Sequence, residues 1–378
     1  MAGENIIFYF VGDVGPNRND PDSIFQYVTH ILRQGDIVFC QLEPNLSRRG
    51  TRLPQARLAM RADPKSASAI KNAGFHVVSF ASNHCMDWGS EAFFDTIDFL
   101  KEQGIQVIGV GKNIDEARRP AIIECKGTRV AFLAYNSILP LGYWAEVDRP
   151  GCAPIRAWTL YEQIEHDQPG TPCRIHTFPH RGDMKTMIND VKKAKSQADL
   201  VIVSMHWGIH FVPAVIAEYQ REVGHAAIDS GADLIIGHHA HILKGIEIYE
   251  GKVIFYSLCN FALEPPFAFA EGLLTGPAHK ELQNLYAVQK SDHDAMHPDS
   301  RKTLIGKCII SNKEIKRVSV LPTYINKESQ PEILDSNDKW FAEVVKYMEQ
   351  ITRDQGLDTK YIIDRDEVII YKQGGPQD

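Results

Sequence analysis

Three imidazoles fall within four positions in Gly237-His238-His239-Ala240-His241, a density that packing alone does not explain. Residues of the same chemical kind recur along the chain: Asp13, Glu43, Asn83 with His84 and then Asp87, His206, and Asn260. Carboxylate, carboxamide and imidazole together suit borderline metals such as Mn²⁺, Fe or Zn²⁺ better than an all-oxygen calcium cage. An ion held this way lowers the pKa of a bound water from about 15.7 toward 7, and the hydroxide attacks a phosphorus or carbonyl centre. Hydrolysis is the economical chemistry for such a set.

Residues this far apart meet only if the fold carries them to one rim. Short apolar strands alternate with amphipathic helices through the first two-thirds of the chain, which predicts an α/β fold. Strands are expected over 5–11, 36–42, 76–80, 106–110, 129–135, 200–204 and 234–236, with a hairpin of 246–249 and 253–258 turning at Glu250-Gly251. Helices are expected from about 22 to Gly35 and over 65–73, 90–103 and 184–195. The stretch 136–183, interrupted by prolines and glycines, reads as a long irregular insertion of the kind that forms lids or binding loops. Beyond 290 come a hairpin, a helix near 338–352 and a strand near 368–371, an extension over 326–378 that packs on a main domain of 1–325.

Most predicted central strands end in one of the polar residues named above. In open α/β sheets the carboxyl ends of the strands line the crevice where ligands bind. Taken singly, each residue has an ordinary alternative. Asp13 after a glycine caps a helix as readily as it holds a metal. Asp87 could cap the helix near Ser90, Asn83 suits a turn, and Glu43 before Pro44 could be solvated. An isolated His206 is more often a hydrogen-bonded structural residue. Five independent strand ends with one chemical bias favour the shared site.

Composition narrows the setting. The 378 residues are 44% hydrophobic and 24% charged, ordinary soluble usage that argues against disorder. A net charge of −7 argues against a nucleic-acid-binding surface. No apolar run approaches a membrane span of roughly 18–20 residues, and Glu4 stands where a signal peptide is positive, so no membrane anchor is expected. Seven cysteines without a Cys-x-x-Cys pair fit reduced thiols and a cytoplasmic location.

The order Gly12-Asp13, Leu42-Glu43, Ser82-Asn83-His84 with Asp87 and Gly89, His206-Trp207-Gly208, Gly237 to Glu247, and Tyr256 to Phe261 resembles the CapA-type capsule-synthesis family. That family is associated with poly-γ-glutamate and belongs to the calcineurin-like metallophosphatases. The resemblance covers about 5–325 and implies a four-layer α/β/β/α sandwich with two divalent ions. It implies that Asp13 and His241 hold the first ion, that Asn83, His206 and His239 hold the second, and that Glu43 bridges both. His84 looks like the superfamily's catalytic histidine, with Asp87 to orient it. One departure stands out: the superfamily's usual histidine two places after the first Asp is Gly15 here. The first ion is thereby a ligand short, which leaves three outcomes open: weak binding, recruitment of His238 or water, or no first ion at all.

Five arginines crowd 48–61, among them Arg48, Arg49 and Arg61, a basic patch suited to an anionic substrate and equally to a solvated loop. Tyr143, Trp144, Trp207, Phe211 and the aromatics of 265–269 are candidates to wall a pocket, with core packing as the alternative. The expectation is a metal-dependent hydrolase of a phosphoester or amide in an anionic small molecule or short polymer. Two alternatives stand beside it: an accessory protein of poly-γ-glutamate capsule assembly, and a non-catalytic binding module of the same fold.

Overall fold

A computed structural model describes residues 4–265 and 297–372. The chain opens with β1 (Ile6–Gly15), whose run Ile-Ile-Phe-Tyr-Phe-Val is buried on both faces, as a central parallel strand requires. It pairs in parallel with β2 (Ile37–Leu42), which pairs with β3 (Val77–Ser79) and then β4 (Gln106–Ile108). Helices α1 (Ser66–Ala73) and α2 (Gly89–Glu102) supply crossovers, α2 burying Ala92, Phe93, Thr96, Ile97 and Leu100 on one stripe.

The second sheet follows. Its strands β5 (Ala121–Cys125) and β6 (Thr128–Asn136) form a hairpin. After an excursion carrying β7 (Ala157–Glu162) and β8 (Arg174–Pro179) come α3 (Arg181–Lys195), β9 (Leu200–His206), α4 (Glu218–Asp229) and β10 (Leu234–His238). The hairpin β11 (Ile246–Tyr249) and β12 (Lys252–Phe255) turns through Glu250 and Gly251, both at positive φ, as a two-residue hairpin of this type needs. The order is β11-β12-β10-β9-β6-β5, with β6, β9, β10 and β12 mutually parallel.

The chain then returns to the first sheet. Strand β13 (Asn260–Leu263) pairs with β1, and β14 (Lys302–Ser311) and β15 (Glu314–Ile325) extend the sheet beyond it. Helix α5 (Lys339–Arg353) precedes β16 (Thr359–Asp364) and β17 (Glu367–Lys372), which continue the same sheet at its edge.

The sheets pack face to face through aromatics. Phe8 meets Phe132 at 5.6 Å, Phe10 meets Phe255 at 5.2 Å, and Phe39 lies over Phe132 at 6.3 Å. Strand alternation sends Ile202, Leu234 and Ile236 into this central core, while Val201, Val203 and Ile235 join Met187, Val191 and Val223 of the outer helices. The result is the expected α/β/β/α sandwich.

Two stretches differ from the sequence expectation. Residues 22–35 are a 3-10 turn, Pro21–Phe25, and a separate short helix, Thr29–Leu32. Thr29 Oγ1 donates to the Phe25 carbonyl at the break, and Tyr27 is exposed. The insertion 136–183 is partly regular: β7 and β8 form an antiparallel hairpin with Trp158, Leu160, Tyr161 and Ile175 exposed. With apolar side chains on both faces, it lacks the alternation by which strands are recognised.

Candidate metal centre

The parallel strands of both sheets end at one rim, and register fixes what meets there. Asp13 on β1 lies beside Asn260 of β13 and Gln41 of β2, two residues before Glu43. On the other sheet His206 pairs with His238, so both side chains point to the same, inner face. Gly12 makes the approach possible: a Cβ there would fall 2.0 Å from the Cys259 carbonyl oxygen, to which Asp13 N donates at 3.0 Å.

Donor atoms converge. Asp13, Glu43 and His206 each offer one within 4.8 Å of the others, and all three residues are buried. Asn83 Oδ1 lies 2.7 Å from His206 Nε2 and 3.2 Å from His239 Nδ1, and those two nitrogens are 3.2 Å apart. His241 Nδ1 is 3.6 Å from Asp13 Oδ2 and 2.6 Å from Asn260 Oδ1, a carboxamide placed to fix the ring. His238 Nδ1 is 3.2 Å from Asp13 Oδ1. The six residues proposed from sequence as ligands thus gather in one cluster.

The cluster is unsatisfied as a protein interior. Asp13 Oδ1, Glu43 Oε1, His206 Nδ1, His210 Nε2 and both nitrogens of His238 are buried with no hydrogen-bond partner among the described residues. Each such atom costs roughly 1–3 kcal/mol, so six together rival the net stability of a domain, roughly 5–15 kcal/mol. Divalent ions would satisfy acceptors of this kind, and the donor set matches borderline metals. The backbone is held against its preference here as well, with φ of 85° at His239, 54° at His241 and 69° at Cys259.

Electrostatics point the same way. Burial, reinforced by neighbouring imidazoles, holds His206, His239 and His210 well below the usual histidine range. They are neutral, with lone pairs free to ligate. Burial and the adjacent Asp13 push Glu43 up to about 8. Metal uptake must then expel a proton from Glu43, so apparent affinity is expected to rise as pH climbs from about 6 to 8 and to level off above. Calorimetry in two buffers of different ionisation enthalpy would detect that proton; a pH-independent affinity with no proton release would contradict it.

His84 lies at the edge of the centre, its Nε2 3.9 Å from Glu43 Oε2 and its Nδ1 2.7 Å from Asp87 Oδ2. Burial alone would lower its pKa, but Asp87 and then Glu43 outweigh that and raise it. Asp87 does not cap α2, which has no side-chain cap at Trp88. It accepts from Met60 N at 2.7 Å and from the Tyr143 hydroxyl at 2.8 Å as well as bonding His84. Tyr143 was expected at most as a pocket wall; it is fully buried and fixes the carboxylate.

The arginines are placed differently. Arg48 pairs with Asp63, and Arg49 donates to Asp95 at 2.9 Å, both on an exposed surface groove lined by Pro64 and Phe99. They are not brought into the cluster. Arg61 lies over the Trp88 ring at 3.7 Å, next to Asp87 in sequence. Among the aromatics, Phe211 stacks on His210 and His241 at 5.4 and 5.7 Å, whereas Trp207 is core against Tyr256. Trp144 lines a separate cavity with Arg118 and Arg156. Phe267 and Phe269 lie outside the described residues.

A mixed α/β sandwich with carboxylates and imidazoles at its strand ends is the class of protein this geometry defines. The chain belongs to the bacterial capsule synthesis protein PGA_cap family, whose model matches residues 6–264. It is 29% identical to the PGA biosynthesis protein CapA of Bacillus subtilis (strain 168), over 68% of this chain and 62% of that one. It is 30% identical to the capsule biosynthesis protein CapA of Bacillus anthracis, over 70% of this chain and 59% of that one. The chain therefore spans about three-fifths of the length of these relatives. Among solved structures it is similar to a calcineurin-like phosphoesterase from Bacillus subtilis, with 12% identity, a TM-score of 0.35, and coverage of 94% of this chain and 98% of that one. No helix among the described residues is long and apolar enough to cross a membrane.

Proposed function

We propose that the protein is a metal-dependent hydrolase, dinuclear when loaded, that cleaves a phosphoester or amide bond in an anionic small molecule or short polymer. The observation that carries this reading is the set of buried, unpartnered donor atoms around Asp13, Glu43 and His206. Divalent ions bound there supply a nucleophilic water at neutral pH and neutralise developing negative charge. Asp13 and His241 would hold one ion, Asn83, His206 and His239 the other, with Glu43 between them.

The chain's own residues do the rest. His84, charged through Asp87, donates a proton to the leaving atom. Tyr143 and the Met60 amide keep the Asp87 carboxylate aimed at His84. Arg61, with no carboxylate partner among the described residues, is the arginine we assign to the substrate's negative charge. Tyr143→Phe is expected to lower turnover by about tenfold and to leave metal content intact, on the scale of losing one supporting hydrogen bond. Unchanged turnover would remove Tyr143 from this role. The whole reading is tested by assaying metal-loaded and chelated protein against aryl phosphates, phosphodiesters and γ-glutamyl amides. Activity on one class, lost on chelation, is expected.

A second reading follows from the relatives' names: an accessory role in poly-γ-glutamate capsule assembly. Co-purification with membranes and with the polymer, without hydrolysis of any panel member, would favour it. Seven cysteines without a disulfide support a reducing compartment, and hence the cytoplasm.

A further inference from the structure

The resemblance implies a donor two places after Asp13, where Gly15 stands, and a side chain placed there would press on its neighbours. A Cβ on Gly15 would fall 2.6 Å from Leu263 Cδ1 and 2.9 Å from Pro44 Cδ. We infer that His210, in the loop after β9, is a metal ligand of this centre, with Nε2 as the donor atom. The inference rests on the metal-binding reading above.

Three independent features support it. The His210 ring lies 3.8 Å from that of His239 and 5.2 Å from that of His241, between the residues assigned to the two ions. Its Nε2 is buried without a hydrogen-bond partner among the described residues, although the residue as a whole is only half-buried. A polar atom turned inward from an accessible loop, and left unpaired, needs a partner that the polypeptide does not supply.

The third feature is how firmly the loop is held. Gly208 takes φ 91°, and its amide donates to Tyr219 Oη at 2.7 Å. Phe211, at φ 53°, donates its amide to the Ala240 carbonyl at 3.1 Å, tying the loop to the turn between His239 and His241. The buried Lys244 ammonium binds the carbonyls of Val212 and of Val215, the latter at 2.9 Å. Such supports orient a ligand before the ion arrives.

His238 is the competing donor. It sits on β10 between the sheets, against Phe39, and its Nδ1 faces Asp13 Oδ1 at 3.2 Å. The variants below separate the two donors. The test compares full-length wild type, His210→Ala, His210→Glu and His238→Ala, each stripped and titrated with Co²⁺. Bound ions are counted by elemental analysis, and the visible Co²⁺ spectrum is recorded. His210→Ala is expected to weaken one of two ions by about tenfold or more, the scale seen when even a group supporting a ligand is lost. His210→Glu, which keeps a donor, is expected to recover most of that affinity. Far-ultraviolet circular dichroism of the stripped variants controls for folding. Two ions bound by His210→Ala with unchanged affinity and spectrum would overturn the inference alone. So would loss of an ion in His238→Ala but not in His210→Ala. A wild type that binds no Co²⁺ would overturn the metal reading and this inference together.

Discussion

His84→Ala is expected to keep the protein's metal content and to cut turnover by about 10²- to 10⁴-fold on whichever panel substrate the wild type hydrolyses. The two halves of this expectation come from different distances. The His84 Nε2 stands 3.9 Å from Glu43 Oε2, and its other nitrogen is taken by Asp87. Nothing in that geometry makes it a ligand. Its pKa is raised from the ordinary histidine value because Asp87 and then Glu43 outweigh burial. A group placed to give a proton to the leaving atom is what the site otherwise lacks. Full activity in His84→Ala would remove it from the chemistry, whereas loss of metal would make it structural.

Glu43→Gln is expected to have the largest effect on metal. The carboxylate is completely buried and shares its surroundings with Asp13. Without an ion, those two carboxylates oppose each other, and burial with Asp13 pushes Glu43 up to about 8. A neutral isostere relieves that opposition, so the stripped variant should melt at or above the stripped wild type. With the ion the order reverses. Wild type should gain roughly 2.7 kcal/mol when free metal exceeds Kd 100-fold, and the variant should gain little. Thermal melts of both proteins with and without Mn²⁺ read the crossing directly. Equal shifts on metal addition would show that Glu43 does not hold the ions.

What was legible in the sequence was what the α/β rule makes legible. Asp13, Glu43, Asn83 and His206 each follow an apolar strand, and parallel strands must end together. His210 was not legible, because it follows no strand end. It sits four residues past His206, in a loop whose path is set by Gly208 at positive φ and by the buried Lys244 clamp. A histidine shortly after Trp207-Gly208 was the available signal, but it carries no period and no partner in sequence. Tyr143 was hidden for a similar reason: its bond to Asp87 spans the insertion, which periodicity could not resolve. Arg48 and Arg49 illustrate the opposite error. Their crowding is real, but Asp63 and Asp95, brought close by folding, neutralise them at the surface. The hairpin 157–179 escaped because exposed apolar residues on both faces erase the alternation that marks a strand.

The central claim is that side chains from both sheets share bound ions. Anomalous diffraction from a crystal of Mn²⁺-loaded protein tests it most directly. Two peaks are predicted within ligand reach of Glu43, one beside Asp13 and His241 and one beside Asn83, His206 and His239. Metal-loaded crystals without a peak near Glu43, or with the ions bound only elsewhere on the chain, would contradict it.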